Sequence, residues 1–127
     1  MQVLIGKYSG YCPGVKRAIK MLDNAIDGNE KNNIYTFGEI IHNPKVVKSY
    51  LSKGVGIARE TDKLSHNDTV VIRSHGISPK LKKEFEDKGV NIIDATCPFV
   101  SKAQRIAKSL SDKDYFIVLI GEKNHPE

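Results

Sequence analysis

Apolar positions along this chain fall into two alternating periods. Short runs rich in β-branched and aromatic residues occur at Val3-Leu4-Ile5, Ile34-Tyr35-Thr36-Phe37, Thr69-Val70-Val71-Ile72, Val90 to Ile93 and Tyr115 to Ile120. They read as strands, the first short and buried, Thr69–Ile72 the clearest central one. Val55-Gly56-Ile57-Ala58 is a further strand candidate. Between these runs the apolar residues recur every three or four positions. Val15, Ala18, Ile19, Leu22 and Ile26 predict a helix over about 14–27, ended by Gly28-Asn29. Asn43 suits an N-cap and Pro44 a first turn, opening a helix with Val46, Val47, Tyr50 and Leu51 on its apolar face and Gly54 as its stop. Ser78-Pro79 opens a third, with Leu81 and Phe85 inward and Gly89 as its stop. The turn from Asp94 to Pro98 leads into a fourth, expected to bury Phe99, Val100, Ala103, Ile106, Ala107 and Leu110. Arg59 to Asp68 reads as a polar linker.

The order strand, loop, helix repeats throughout. It predicts an α/β protein of repeated units around a mostly parallel sheet. Two Cys-Pro steps mark the repeat. Cys12-Pro13-Gly14-Val15-Lys16-Arg17-Ala18 has its counterpart in Cys97-Pro98-Phe99-Val100-Ser101-Lys102-Ala103. His42-Asn43-Pro44 follows the first cysteine by thirty residues, and His125-Pro126-Glu127 follows the second by twenty-eight. One thiol and one imidazole at matching points suggest a site shared between repeats. The division drawn from this is a first α/β unit over 1–96 and the beginning of a second over 97–127.

Composition narrows the class. At 127 residues, 39% hydrophobic and 28% charged, the chain is long enough for one core. No apolar window approaches the length of a membrane span. Met1 to Gly6 has no basic n-region and too short an apolar run for a secretory signal, so the expected location is the cytoplasm. Two cysteines in such a chain are ligands, reactive thiols or core residues rather than a disulfide. The net charge of +5 fits a soluble basic surface or a phosphorylated partner. Lys16, Lys20, Lys82, Lys83, Lys102 and Lys108 are scattered along helices, and there is no Trp, so no nucleic-acid partner is expected.

The candidate chemistry lies in equivalent places. Cys12, His42, His75, Cys97 and His125 each follow the C-terminal end of a predicted strand. In open α/β sheets those loops share the edge where ligands bind. Helix N-termini there offer free N–H groups to anions, phosphate above all. They also favour the thiolate form that a metal requires. Gly10, Gly14 and Gly76 allow unusual backbone angles or the close approach of a bulky ligand. His66, in the linker, reads as merely exposed. Two readings outside catalysis stay open: a Cys2His2 zinc module, and a non-catalytic phosphate-binding module.

Taken in order, Gly10-Tyr11-Cys12-Pro13-Gly14-Val15, Ile41-His42-Asn43-Pro44, Ser74-His75-Gly76, Asp94-Ala95-Thr96-Cys97-Pro98 and His125-Pro126-Glu127 resemble the LytB-type 4-hydroxy-3-methylbut-2-enyl diphosphate reductases. These are oxidoreductases at the end of the methylerythritol phosphate route to isoprenoids. The resemblance implies a trefoil of three α/β units around a [4Fe–4S] cluster, each giving one cysteine. It implies Cys12 and Cys97 as two metal ligands, and His42, His75 and His125 as the grip on the substrate diphosphate. It implies Glu127, directly or through His125, as the proton source at the allylic hydroxyl. Reduced ferredoxin or flavodoxin would give the electrons, and isopentenyl and dimethylallyl diphosphate would be the products. The family's third cysteine follows the His-Pro-Glu step, as do a Thr and a Ser/Asn group that contact substrate. The chain thus reads as a truncated, inactive fragment: the first unit and the start of the second. Apolar surface left uncovered in such a fragment would favour self-association.

Overall fold

The computed structural model describes residues 1–7, 9–28 and 33–122. Its centre is the run Thr69-Val70-Val71-Ile72, buried at all four positions as strand β3. β1 (Ile34–Phe37) and β4 (Asn91–Asp94) flank it, and β2 (Gly56–Ala58) pairs with the far side of β1. The sheet order is β2-β1-β3-β4, and every pairing is parallel. A parallel sheet needs cover on both faces, which explains why β3 is apolar without alternation.

The two-residue period of the strands divides the core. Ile34 and Val71, with Ile93 beside them, pack against Ala18, Leu22 and Ala25 of α1 (Pro13–Gly28) and Tyr50 of α2 (Pro44–Ser52). Val70, Tyr35, Phe37 and Ile92 turn the other way, towards Leu81 and Phe85 of α3 (Pro79–Asp87). Phe37 and Phe85 meet edge to face, with ring centres 5.2 Å apart. The result is a three-layer α/β/α arrangement.

The helix starts follow local rules. Asn43 Oδ1 accepts from the N–H groups of Lys45 and Val46, and Ser78 Oγ accepts from Leu81 N–H. Each cap precedes a proline whose missing N–H costs nothing at that position. Gly54 and Gly89 end α2 and α3 with φ of 85° and 68°, a region a side chain disfavours. The segment from Arg59 to Asp68 is more structured than a linker. It holds a 3-10 turn at Thr61–Lys63 and buries Leu64 and Asp68. The Asp68 carboxylate accepts from Ser65 N–H and from the Asn33 side chain. His66 is exposed, as expected, and its ring covers Gly89.

Tyr50 links α2 to α1, its hydroxyl donating to Asp23 at 2.9 Å. Burial pushes this phenol from 10.0 up to about 12, and the Asp23 hydrogen bond and charge add to the rise. The unfolded phenol ionises near its ordinary value, so the stabilisation is complete below pH 10 and is lost as pH climbs towards 12. Urea unfolding of Tyr50→Phe is expected to show a flatter stability profile across that window. An unchanged slope would contradict it.

Three expectations are corrected. Val3-Leu4-Ile5 forms no strand, and its side chains lie 71–84% exposed. Tyr115 to Ile120 likewise forms no strand, with Phe116, Leu119 and Ile120 almost fully exposed. A strand exists through its ladder, and neither segment meets a partner edge among the described residues. α4 (Pro98–Ser111) forms after Pro98 as expected but has no buried residue: Phe99 is 77% exposed and Ile106 50%. Its apolar stripe is real, but α1, α2 and α3 already cover the sheet. The surface on which self-association was expected to rest is therefore present. No helix among the described residues is long and apolar enough to cross a membrane.

Candidate functional site

The chain leaves β1 through α2 to β2 on one side, then returns to place β3 on the other. The loops after β1 and β3 therefore diverge and open a crevice between them, the place where ligands bind in such sheets. His42 sits on the loop after β1 and His75 on the loop after β3. Their ring centres are 5.7 Å apart, tilted by 38°. His42 is exposed and His75 half-buried. Gly76 follows with φ of 78°, turning the chain away from the crevice.

The two thiols converge as well. Cys12 and Cys97 each precede a helix-opening proline, and their carbonyls accept the first helical bonds, from Lys16 and Ser101. Between them lies Gly14, which is buried. A Cβ built there would stand 2.7 Å from Cys97 Sγ and 4.0 Å from Cys12 Sγ. Both sulfurs thus lie close to Gly14, and the Cys97 sulfur takes up space that a side chain there would need. Cys12 is exposed, Cys97 half-buried, and neither is in a disulfide.

A polar framework holds this geometry. The Arg17 guanidinium, one turn into α1, donates to Thr96 C=O at 3.1 Å. The Asp94 carboxylate accepts from both the N–H and the hydroxyl of Thr96. Cys97 N–H donates to Ser74 C=O at 2.8 Å, binding the second thiol's turn to the loop of His75. Gly76 adds to this tie, since Thr96 and Gln104 atoms stand 3.1 Å from where its Cβ would be. The imidazole loop and the thiol loop are therefore one mechanical unit.

Of the residues expected from sequence, the structure brings Cys12 to Cys97 and His42 to His75. His125 and Glu127 lie outside the described residues. Sequence reasoning missed Arg17, Ser74, Asp94 and Thr96 as supports. The Asp-x-Thr spacing before a Cys-Pro step is an Asx-turn signal that could have found two of them. It also missed Arg59 and Arg73, which stand beside His42.

Two thiols brought together at Gly14 have donor chemistry that fits either a zinc ion or an iron–sulfur group. Among the described residues no three metal-ligating side chains come together, so the thiols and the imidazoles form separate pairs.

A parallel α/β sheet with a thiol pair and an imidazole pair on one ligand-binding edge defines the class of this protein. The chain belongs to the LytB protein family, whose sequence model matches residues 3–127. It is 50% identical over 129 residues to the 4-hydroxy-3-methylbut-2-enyl diphosphate reductase of Caldanaerobacter subterraneus subsp. tengcongensis. That match covers all of this chain and 45% of the relative. The enzyme of the same name from Aquifex aeolicus is 40% identical, with 43% of its length covered. A solved structure of (E)-4-hydroxy-3-methyl-but-2-enyl diphosphate reductase superposes with a TM-score of 0.85 at 40% identity, covering 98% of this chain and 43% of that one. The E-1-hydroxy-2-methyl-but-2-enyl-4-diphosphate reductase of Plasmodium falciparum gives 0.88 at 31% identity, over 94% of this chain and 37% of that one. The chain thus spans less than half the length of these relatives.

Proposed function

We propose that these residues belong to a longer 4-hydroxy-3-methylbut-2-enyl diphosphate reductase and supply two of its cluster ligands and part of its diphosphate grip. The observation that carries this is the meeting of Cys12 and Cys97 at Gly14 across 85 residues of sequence. Cys12 and Cys97 would hold a [4Fe–4S] cluster together with a thiol from elsewhere in the longer chain. When bound, that cluster supplies the two electrons of the reduction.

The remaining work falls to the chain's own groups. His42 and His75 bind diphosphate oxygens, donating N–H bonds that are stronger to an anion than to a neutral acceptor. Cleavage of the allylic C–O bond releases water, which takes two protons with the two electrons to balance: one ends on the leaving oxygen, the other on the allyl carbon. Glu127, with His125, is the proposed source of the proton to oxygen. The tie from Ser74 to Cys97 fixes the diphosphate end of the substrate relative to the thiols, and such fixed placement is itself catalytic. Reduced ferredoxin or flavodoxin is the proposed donor, and the cytoplasm the proposed location.

The test is iron and acid-labile sulfide on the longer gene product, prepared without oxygen. About four of each per chain are expected, as for one [4Fe–4S] group, with loss in Cys12→Ser and in Cys97→Ser. The 127-residue chain alone is expected to hold no stable cluster and to show no turnover. Stoichiometric zinc, or full iron loading in both serine variants, would refute the reading.

A further inference from the structure

Beside the imidazole pair lies a second feature that the reductase reading does not use. Phe37, Gly38, Glu39, His42, Arg59 and Arg73 line a cleft of about 280 Å³. Its two arginines arrive there by sheet register. Phe37 pairs with Ala58 on one side and with Ile72 on the other. Arg59 and Arg73 immediately follow β2 and β3, so they flank Gly38 at the C-terminal edge of the sheet. Strands from both sides of the crevice thus direct a guanidinium to the same hollow.

The cleft is built for an anion. Gly38 has φ of 73° and no side chain, and the Arg73 guanidinium lies directly over it, Nη1 3.2 Å from where a Cβ would stand. The guanidinium thus already lies at the mouth of the cleft, and its planar fork matches phosphate geometry. Arg59 pairs with Glu39 at 3.9 Å, and its side chain is 76% exposed. A long, solvated pair of this kind is weak, so an incoming anion can displace it. Glu39 is the one carboxylate lining the cleft among the described residues, against two guanidinium groups and an imidazole. The space is open to solvent and small for a drug-sized ligand, which suits a compact polyanion.

We propose that Arg59, Arg73 and His42 form an outer binding station for a phosphate or diphosphate group, adjoining the His42–His75 pair. His42 lines the cleft and also stands against His75, so it is the common wall of the two. An allylic diphosphate would first be captured by the two arginines, then pass its phosphates to the imidazoles. The role as an entry station rests on the reductase reading; the anion site itself does not. Arginine forks give bidentate bonds to phosphate oxygens, and their field raises the encounter rate.

The test uses the longer protein stripped of iron, titrated with inorganic pyrophosphate by calorimetry at low and at physiological salt. Arg59→Ala changes an exposed side chain, and Arg73→Met keeps an unbranched stem over Gly38; thermal melts establish that both fold. Each is expected to weaken pyrophosphate binding by about tenfold and to flatten its salt dependence. Wild-type affinity in both folded variants would overturn the proposal. So would a result in which they lose only the binding of an acidic polypeptide, polyglutamate, because the cleft would then be a protein-docking surface. Iron content of the unstripped protein is read separately. Arginine-dependent pyrophosphate binding without iron would sink the reductase reading and leave this site standing.

Discussion

Gly14→Ala in the longer protein is expected to abolish cluster loading at only a modest cost in stability. The added methyl carbon would sit 2.7 Å from Cys97 Sγ, closer than such a contact tolerates. Its neighbour is not the free end of a long side chain. It is the sulfur of a half-buried cysteine whose N–H is bound to Ser74 and whose carbonyl starts α4. To make room, that sulfur must leave the position it shares with Cys12. Meanwhile the backbone gains, since Gly14 lies in the first turn of α1 and has no positive φ. Alanine in a helix is favoured over glycine by about 0.5–1 kcal/mol, less so in the first turn. The two effects therefore have opposite signs. Iron and sulfide per chain should fall towards zero, and because overpacking a buried site costs about 1–3 kcal/mol, the apoprotein's melting temperature should fall modestly rather than collapse. Full loading in Gly14→Ala would mean that the glycine is not the cradle argued for here.

The second large effect is on stability. Phe85→Ala is expected to cost about 3–5 kcal/mol, the usual range for emptying a buried aromatic site. Phe85 has no exposed surface and is the largest fully buried side chain. It packs edge to face on Phe37, and it anchors α3 over Val70 and Leu64. Domains are stable by only about 5–15 kcal/mol, so the loss takes a large share of the total. Its consequence reaches the site, because Phe37 is the last residue of β1 and lines the cleft beside His42. Urea unfolding of the variant measures it directly. A loss under about 1 kcal/mol would mean that the α3 layer does not carry the fold.

Much of this architecture was legible in the chain. Asn43-Pro44 and Ser78-Pro79 announce helices because a side-chain oxygen and a missing N–H solve a problem local to those residues. Thr69–Ile72 announces a central strand because only burial on both faces tolerates four such residues in a row. The positions of His42, His75 and Cys97 after strand ends follow from the same local order, whereas Cys12 opens α1 with no strand before it. Where the reading failed, the local pattern was sound and the neighbour was lacking. Val3–Ile5 and Tyr115–Ile120 have strand composition, but a ladder needs a second chain segment at the right edge. The stripe on α4 has helical spacing, but spacing names a face and not what covers it.

Sequence alone therefore determined most element types, most of their ends, the α/β class and the candidate residues for chemistry. Those depend on interactions within a few residues, which the order of side chains states directly. Only the tertiary structure decided that Cys12 and Cys97 meet at Gly14, that Arg17 braces Thr96, and that Arg59 and Arg73 flank Gly38. Each of these joins segments far apart in the chain. They exist because the strand order β2-β1-β3-β4 brings particular strand ends side by side, and periodicity along one segment carries no record of its neighbours in the sheet.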